Sequence, residues 1–274
     1  MFGKLCSLIG VIHVPALPGA DSWQGSMEHL LDVSLKDARA YVEGGVDALI
    51  VENMHDVPYL LGNVEPESTA AMAVVAKAVK VATGLPLGIQ LLAGANLESL
   101  AVALASGADF IRSEGFVFAH VGDEGLHQSC AATLIRRRAQ LKANHIKIFV
   151  DIKKKHSSHA ITSDITLEET AHAAEFFKAD GMIVTGMRTG DAPSLAEIVH
   201  VKAAVKTPVM VGSGITDSNI ASFAMSADSL IVGSFAKYDG IWQNAVDKSR
   251  VKVLADSLQS VNHERAVAAK TSAI

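Results

Sequence analysis

Polar and charged residues stand where the apolar runs of this chain stop. Glu52 and Asn53 follow ALIV, Arg112 and Glu114 close DFIRSE, and Asp151 follows IFV. His13, Gln90, Lys153, Thr185, Ser213 and Ser234 hold comparable places. A charge at the end of a buried run is costly without a partner or a ligand. Glu52 is a candidate general base, and the carboxamide of Asn53 beside it could orient a substrate. The alternative for Glu52 is a structural ion pair with Arg112. Asp151 is the second candidate for acid/base work, and Lys153, Lys154, Lys155 and His156 follow it. Lysines beside an acid can bind a phosphorylated substrate, or one can act as a base or Schiff-base amine. Lys155 and His156 are expected to stabilise developing negative charge or to shuttle a proton. Lys154 reads as part of a solvated basic loop.

Two glycine-serine turns suggest an anion site. PVMVGSG (208–214) and ADSLIVGSF (227–235) are β-branched runs that end abruptly in small residues. Glycine permits tight turns and brings backbone N–H groups close to a ligand. A helix N-terminus behind such a turn adds favourable potential for an anion. Gly212, Ser213, Gly214, Gly233 and Ser234 are therefore the expected phosphate ligands. Thr185-Gly186 and Thr189-Gly190 offer hydroxyls nearby, although Thr-Gly is also ordinary turn chemistry. His13, Asn53, Arg112, Thr185 and Thr189 are the expected substrate contacts.

Metal chemistry is an alternative. His156 and His159 are three apart, and His13, Glu52, Asp151 and His156 could together hold a divalent metal. The chain has no Cys pairs and no HExxH helix to support that reading, so no metal site is assigned and the cofactor is unknown. Asp123-Glu124-Gly125 lies in a long loop, 116–127, that could close over a site; an ordinary acidic turn is the alternative. Cys130 reads as packing, and Arg136–Arg138 as a solvated helix face.

The elements that would position these residues repeat. Apolar strands are expected at 7–12, 47–51, 86–91, 109–112, 146–152, 181–184, 208–214 and 227–235. Helices are expected at 27–43, 68–82, 96–106, 129–143, 166–177, 194–205, 215–226 and 247–258. Thr166 with Glu169 and Ser194 with Glu197 have capping-box spacing. GGVDALIVEN, SGADFIRSEG, KADGMIVTG and SADSLIVGS echo one another at alternate strands. A repeat every second βα unit indicates a single (β/α)8 TIM barrel over residues 1–274, with a polar, alanine-rich tail from about 261 that is expected to fray.

Composition narrows the function classes. The net charge is −5 and only 5% of residues are aromatic, which argues against a nucleic-acid partner. Two cysteines give no disulfide framework and indicate a reducing, cytoplasmic setting. No apolar run is long enough to span a bilayer. Residues 4–12 loosely match a secretory leader, but His13 and Pro15 interrupt them and they serve as a first strand. A homo-oligomer is allowed.

GVIHVPALPG (10–19), VENMHDVPY (51–59), KKHSSH (154–159), TGMRTG (185–190) and GSGIT (212–216) with Asn219 stand in order, followed by IVGS (231–234) and Lys237. Together they resemble the BtpA family, which includes the SgcQ-type proteins, from about residue 8 to 250. The resemblance implies a ribulose-phosphate-binding type barrel. Its name comes from a cyanobacterial member implicated in photosystem I biogenesis, while SgcQ-type members are associated with sugar metabolism. Two stretches depart from the family pattern: QLLAGANLE replaces an Asn- and Arg-bearing segment, and Asp123-Glu124-Gly125 replaces Asp-Gln-Gly.

Three functions follow as expectations. The first is an isomerase, lyase or hydrolase acting on a small phosphorylated sugar or nucleoside-like metabolite. The second is a non-catalytic assembly or stability factor for a membrane complex, which predicts an exposed apolar patch. The third is a metal-dependent hydrolase, which predicts a cation on at least two of His13, Glu52, Asp151 and His156.

Overall fold

Eight parallel strands close into a barrel. The computed structural model describes residues 2–186, 188 and 190–271. The barrel strands are β1 (Ser7–His13), β2 (Ala48–Glu52), β3 (Leu87–Gln90), β4 (Phe110–Ser113), β7 (Lys147–Asp151), β9 (Gly181–Val184), β10 (Val209–Val211) and β11 (Ser229–Val232), and β11 pairs back onto β1. Helices α1 (Met27–Gly44), α2 (Pro66–Thr83), α3 (Asn96–Ser106), α4 (Ala131–Gln140), α5 (Leu167–Phe176), α6 (Leu195–Ala204), α7 (Ile220–Ser226) and α8 (Lys248–Thr271) alternate with them. Both expected capping boxes form, at Thr166 on α5 and Ser194 on α6.

Side chains of a strand alternate between two faces, and that alternation organises everything above it. Ile9, Val11, Ala48, Ile50, Phe110, Phe149, Ile183, Met210 and Ile231 form a separate buried cluster filling the barrel interior. A larger cluster lies between strands and helices. Glycines on β3 and β9 make room for the two interior rings. A Cβ on Gly88 would lie 2.1 Å from Phe110, and one on Gly181 would lie 2.9 Å from Phe149. Stepping two residues further along each strand brings the interior face to its polar top layer. His13, Glu52, Gln90, Arg112, Asp151, Thr185, Gly212 and Gly233 all fall on that parity. The register sets His13 beside Glu52 and Glu52 beside Gln90.

Four segments differ from the sequence expectation. The long loop after β4 folds as a hairpin, β5 (Ala119–Gly122) and β6 (Gly125–Gln128), and β8 (Ser157–Ser158) adds to β5. Gly122 pairs with Gly125 around Asp123-Glu124, a two-residue hairpin connection. The last helix runs to Thr271 rather than stopping at 258. Buried Val251, Leu254, Leu258 and Val261 keep helical spacing along it. Beyond them, Asn262 exchanges two hydrogen bonds with the Cys6 backbone, at 2.9 and 2.8 Å, and Arg265 donates to Ala224 O and Ala227 O. Finally, α4 is shorter than the expected 129–143, and α7 starts at Ile220 rather than 215, so no α-helix N-terminus stands directly behind Gly214.

Among the described residues no helix is long and apolar enough to cross a membrane.

Candidate functional site at the barrel mouth

The polar top layer opens into two cavities. The first, of about 200 Å³, is walled on one side by Gly212–Thr216 and Gly233–Phe235 and on the other by His13, Glu52, Arg112 and Lys155. The second, of about 230 Å³, shares Glu52, Met54, Arg112 and Lys155 and adds Gln90, Glu114, Glu124 and His156. The four shared residues make them chambers of one site.

The glycine turns are held open from behind. Gly214 has φ +69°, and a Cβ there would lie 2.2 Å from Ala192 N. Ser213 Oγ donates to Asp191 O at 2.7 Å and accepts from Gly186 N at 3.1 Å, tying this turn to the loop after β9. The N–H groups of Gly214, Ile215, Ser234 and Phe235 donate to no group among the described residues. Their residues line the first chamber. Converging unsatisfied N–H groups are how a backbone binds an anion.

The opposite wall is built from titratable side chains. Arg112 and Asp151 form a buried bidentate pair, Nε–Oδ2 2.9 Å and Nη2–Oδ1 3.0 Å. Glu52 is 6% exposed and has no ion-pair or hydrogen-bond partner for its carboxylate among the described residues. His13 Nδ1 donates to Trp242 O at 2.8 Å. Burial and Lys237 hold His13 well below the usual imidazole range, so it is neutral and its Nε2, beside Gly233, is an acceptor.

Glu114 and the lysines complete the second chamber. Burial pushes the Glu114 carboxyl up to about 7, against the attraction of Lys154. Gln90 Nε2 donates to Glu114 Oε1 at 3.3 Å. Lys154 pairs with Glu124 and lies 3.6 Å from Glu114 Oε2, while His127 Nε2 donates to Glu124 at 2.5 Å. Burial and the Arg112 guanidinium hold the Lys155 amine below its usual range, and Glu52, Asp151 and Glu114 oppose them. A carboxyl raised into the neutral range and an amine lowered toward it are the groups that exchange protons near pH 7.

The family model described as "BtpA family" matches residues 4–260. The chain belongs to the BtpA family. An uncharacterised mitochondrial protein of Caenorhabditis elegans is 47% identical over 89% of this chain and 90% of its own length. The photosystem I biogenesis protein BtpA of Synechocystis is 32% identical over 92% of this chain and 87% of its own length. Among solved structures, thiamine phosphate pyrophosphorylase from Pyrococcus furiosus superposes with a TM-score of 0.59 at 17% identity, over 95% of this chain and 98% of that one. That likeness is one of fold.

In this BtpA-family chain the mouth gathers His13, Glu52, Arg112, Lys155, Gly212, Ser213, Gly214, Gly233 and Ser234 around the first chamber, and His156 around the second. Other sequence expectations need correction. The Glu52–Arg112 pair does not form, because Asp151 takes the guanidinium. Both Asp151 oxygens accept from that guanidinium. Asn53 has the opposite parity to Glu52 and turns away from the chamber. Its Oδ1 accepts from Leu92 N at 2.7 Å and its Nδ2 donates to Asp56 at 2.9 Å. Thr185 Oγ1 donates to Lys153 O at 3.1 Å, bracing the loop after β7. Thr189 lies outside the described residues.

Lys154 is not solvated: its side chain is 8% exposed between two glutamates. Ser213 spends its hydroxyl on the neighbouring loop, so only its backbone is left for a ligand. Of the four residues weighed as metal ligands, Asp151 has both oxygens on Arg112, whereas the Nδ1–H bond to Trp242 O leaves His13 Nε2 open. No group of three or more His, Cys, Asp or Glu among the described residues is placed to hold a metal ion.

Two features escaped the sequence reading. Glu114 stood among the strand-end residues but was not singled out, although 110, 112 and 114 share the interior parity. His120 and His127 stack at 4.6 Å with His159 5.4 Å from His120. That cluster depends on the hairpin, where the sequence predicts only a long loop.

Proposed function

We propose that this chain is an enzyme acting on a small phosphorylated metabolite bound at the C-terminal mouth of the barrel. One observation carries the reading: unsatisfied backbone N–H groups and unengaged titratable side chains face each other across one chamber of about 200 Å³. The turns at Gly212–Gly214 and Gly233–Ser234 hold the phosphate, consistent with where barrels of this class bind it. Glu52 is the base: Arg112, Lys155 and Lys237 act on it through space, but none forms a direct ion pair or hydrogen bond with its carboxylate among the described residues. Glu114 carries a proton in the neutral range, and Lys155 lies between them. Asp151 aims Arg112, and Arg112 with neutral His13 orients the substrate. His156, exposed at the edge of the second chamber, is the candidate for shuttling a proton there. Cys6 and Cys130 are free thiols, which supports a reducing compartment; the nematode relative is mitochondrial, so the thiols support the redox setting rather than the cytoplasm specifically.

The test is a melting-temperature screen with inorganic phosphate and small sugar phosphates. Stabilisation that saturates, and that is lost in Gly214→Ala, supports the reading. No stabilisation at millimolar ligand removes it.

A non-catalytic assembly factor is a second reading, favoured by an exposed apolar rim. Leu60, Leu61, Val121 and Leu126 are each 40% exposed or more, and Leu61 lies near the hairpin, where a Cβ added to Gly125 would come within 3.3 Å of it. The Synechocystis relative's name fits this reading. Leu126→Glu separates the two: it disables docking and leaves phosphate stabilisation intact.

A further inference from the structure

Lys155 is the anomaly among the buried lysines. Lys154 is paired with Glu114 and Glu124, and Lys237 with Asp37 at 2.8 Å. Lys155 has no hydrogen bond or ion pair among the described residues, although Glu52, Asp151 and Glu114 all surround it. It lines both chambers, so a ligand reaching from the phosphate turns toward Glu114 must pass it. Arg112, fixed by Asp151, is a permanent cation in the same wall and disfavours a second one. The amine stands at the junction, within the cavity that the free N–H groups line and within the cavity that Glu114 lines.

We propose that Lys155 forms an imine with the aldehyde or ketone of an open-chain phosphorylated substrate. The inference rests on the phosphate reading above and narrows it to carbonyl-bearing phosphate esters. The lone pair of the neutral Nζ attacks the carbonyl carbon, and the C=O π pair moves onto oxygen. One amine proton transfers to that oxygen, giving a neutral carbinolamine. Glu114 then delivers its proton to the hydroxyl, the C–O bond breaks, and water leaves. The nitrogen lone pair forms the C=N bond, so a protonated imine and a Glu114 carboxylate remain. Charge and atoms balance without an oxidant, reductant or metal. The iminium is an electron sink beside Glu52, which is placed to take a proton from the adjacent carbon or from a hydroxyl one carbon further on. Burial and Arg112 lower the amine's affinity for a proton, which raises the neutral fraction the first step needs.

Pyridoxal 5′-phosphate is a suitable probe because it is an aldehyde carrying a phosphate. The protein is incubated with it near pH 7, reduced with borohydride and mapped by peptide mass spectrometry. Lys155 is expected to be modified several-fold faster than exposed Lys206, because its amine lines both chambers and is held by no hydrogen bond or ion pair among the described residues. Inorganic phosphate is expected to slow the reaction at Lys155 only. Lys155→Met should abolish the fast phase, and Lys206→Met should not. Modification spread evenly over exposed lysines, with Lys155 unmodified in the folded parent protein, overturns the proposal. Modification of Lys155 that phosphate fails to slow keeps the imine inference and removes the phosphate reading. Phosphate-dependent stabilisation with Lys155 unreactive does the reverse.

Discussion

Arg112 holds Asp151 with two hydrogen bonds, of 2.9 and 3.0 Å, and neither side chain is more than 5% exposed. Removing one partner leaves the other charge buried. Asp151→Asn is therefore expected to cost about 3–5 kcal/mol in urea unfolding, with Arg112→Met comparable. The double substitution should be less damaging than the sum of the two. A cost below about 1 kcal/mol for the single changes would show that the pair does not brace the mouth.

Glu52→Gln keeps the shape and removes the proposed base. Turnover of the substrate, once found by the phosphate screen, should fall about 10²–10⁴-fold. The melting temperature should change little, because the Glu52 carboxylate makes no hydrogen bond or ion pair within the described chain. Turnover equal to the parent's removes Glu52 from the mechanism.

Glu114 makes stability depend on pH. Its carboxyl rises from 4.5 to about 7 on folding, chiefly through burial. An acid with a higher pKa in the folded state contributes stability that is fully present below its unfolded pKa of 4.5 and lost as pH rises through about 7. The loss over that window is about 3 kcal/mol. Glu114→Gln has no such titration. Its stability relative to the parent should therefore improve between pH 5 and pH 8 in urea unfolding. A difference that does not change with pH contradicts the buried, proton-holding Glu114.

The barrel itself was legible because each βα unit carries its own signal: an apolar run, a small-residue turn and a capped helix. Thr166 and Ser194 cap where their glutamates stand three residues on. The mouth was legible only in part. Strand ends could be found by composition, but which residues face inward needs the strand parity, and Glu52 and Asn53 differ by one step. Glu114 follows from the same rule once Phe110 is known to be interior. Other features depend on contacts that no local pattern encodes. Lys237 reaches Asp37 across 200 residues, and Lys154 is buried only because the hairpin brings Glu124 over it. Helix α8 outran its expected end because Asn262 and Arg265 are polar in composition yet bonded to Cys6 and α7.

Gly214→Ala tests the turn geometry. With φ +69° and Ala192 N at 2.2 Å from the new Cβ, the turn must shift. A cost of about 1–3 kcal/mol is expected from strain and crowding. Stabilisation by inorganic phosphate should disappear, while the Lys237–Asp37 brace and the remaining barrel keep the fold. Retained phosphate stabilisation would place the anion elsewhere.

The central claim is that the phosphate of a small metabolite is held by the turns after β10 and β11. Backbone amide resonances read this directly in a titration of the labelled protein with inorganic phosphate. The expected result is that Gly214, Ile215, Ser234 and Phe235 shift together along one saturable curve, and that Gly214→Ala abolishes it. Shifts absent from these four amides at saturating phosphate, or confined to other parts of the surface, would contradict the account.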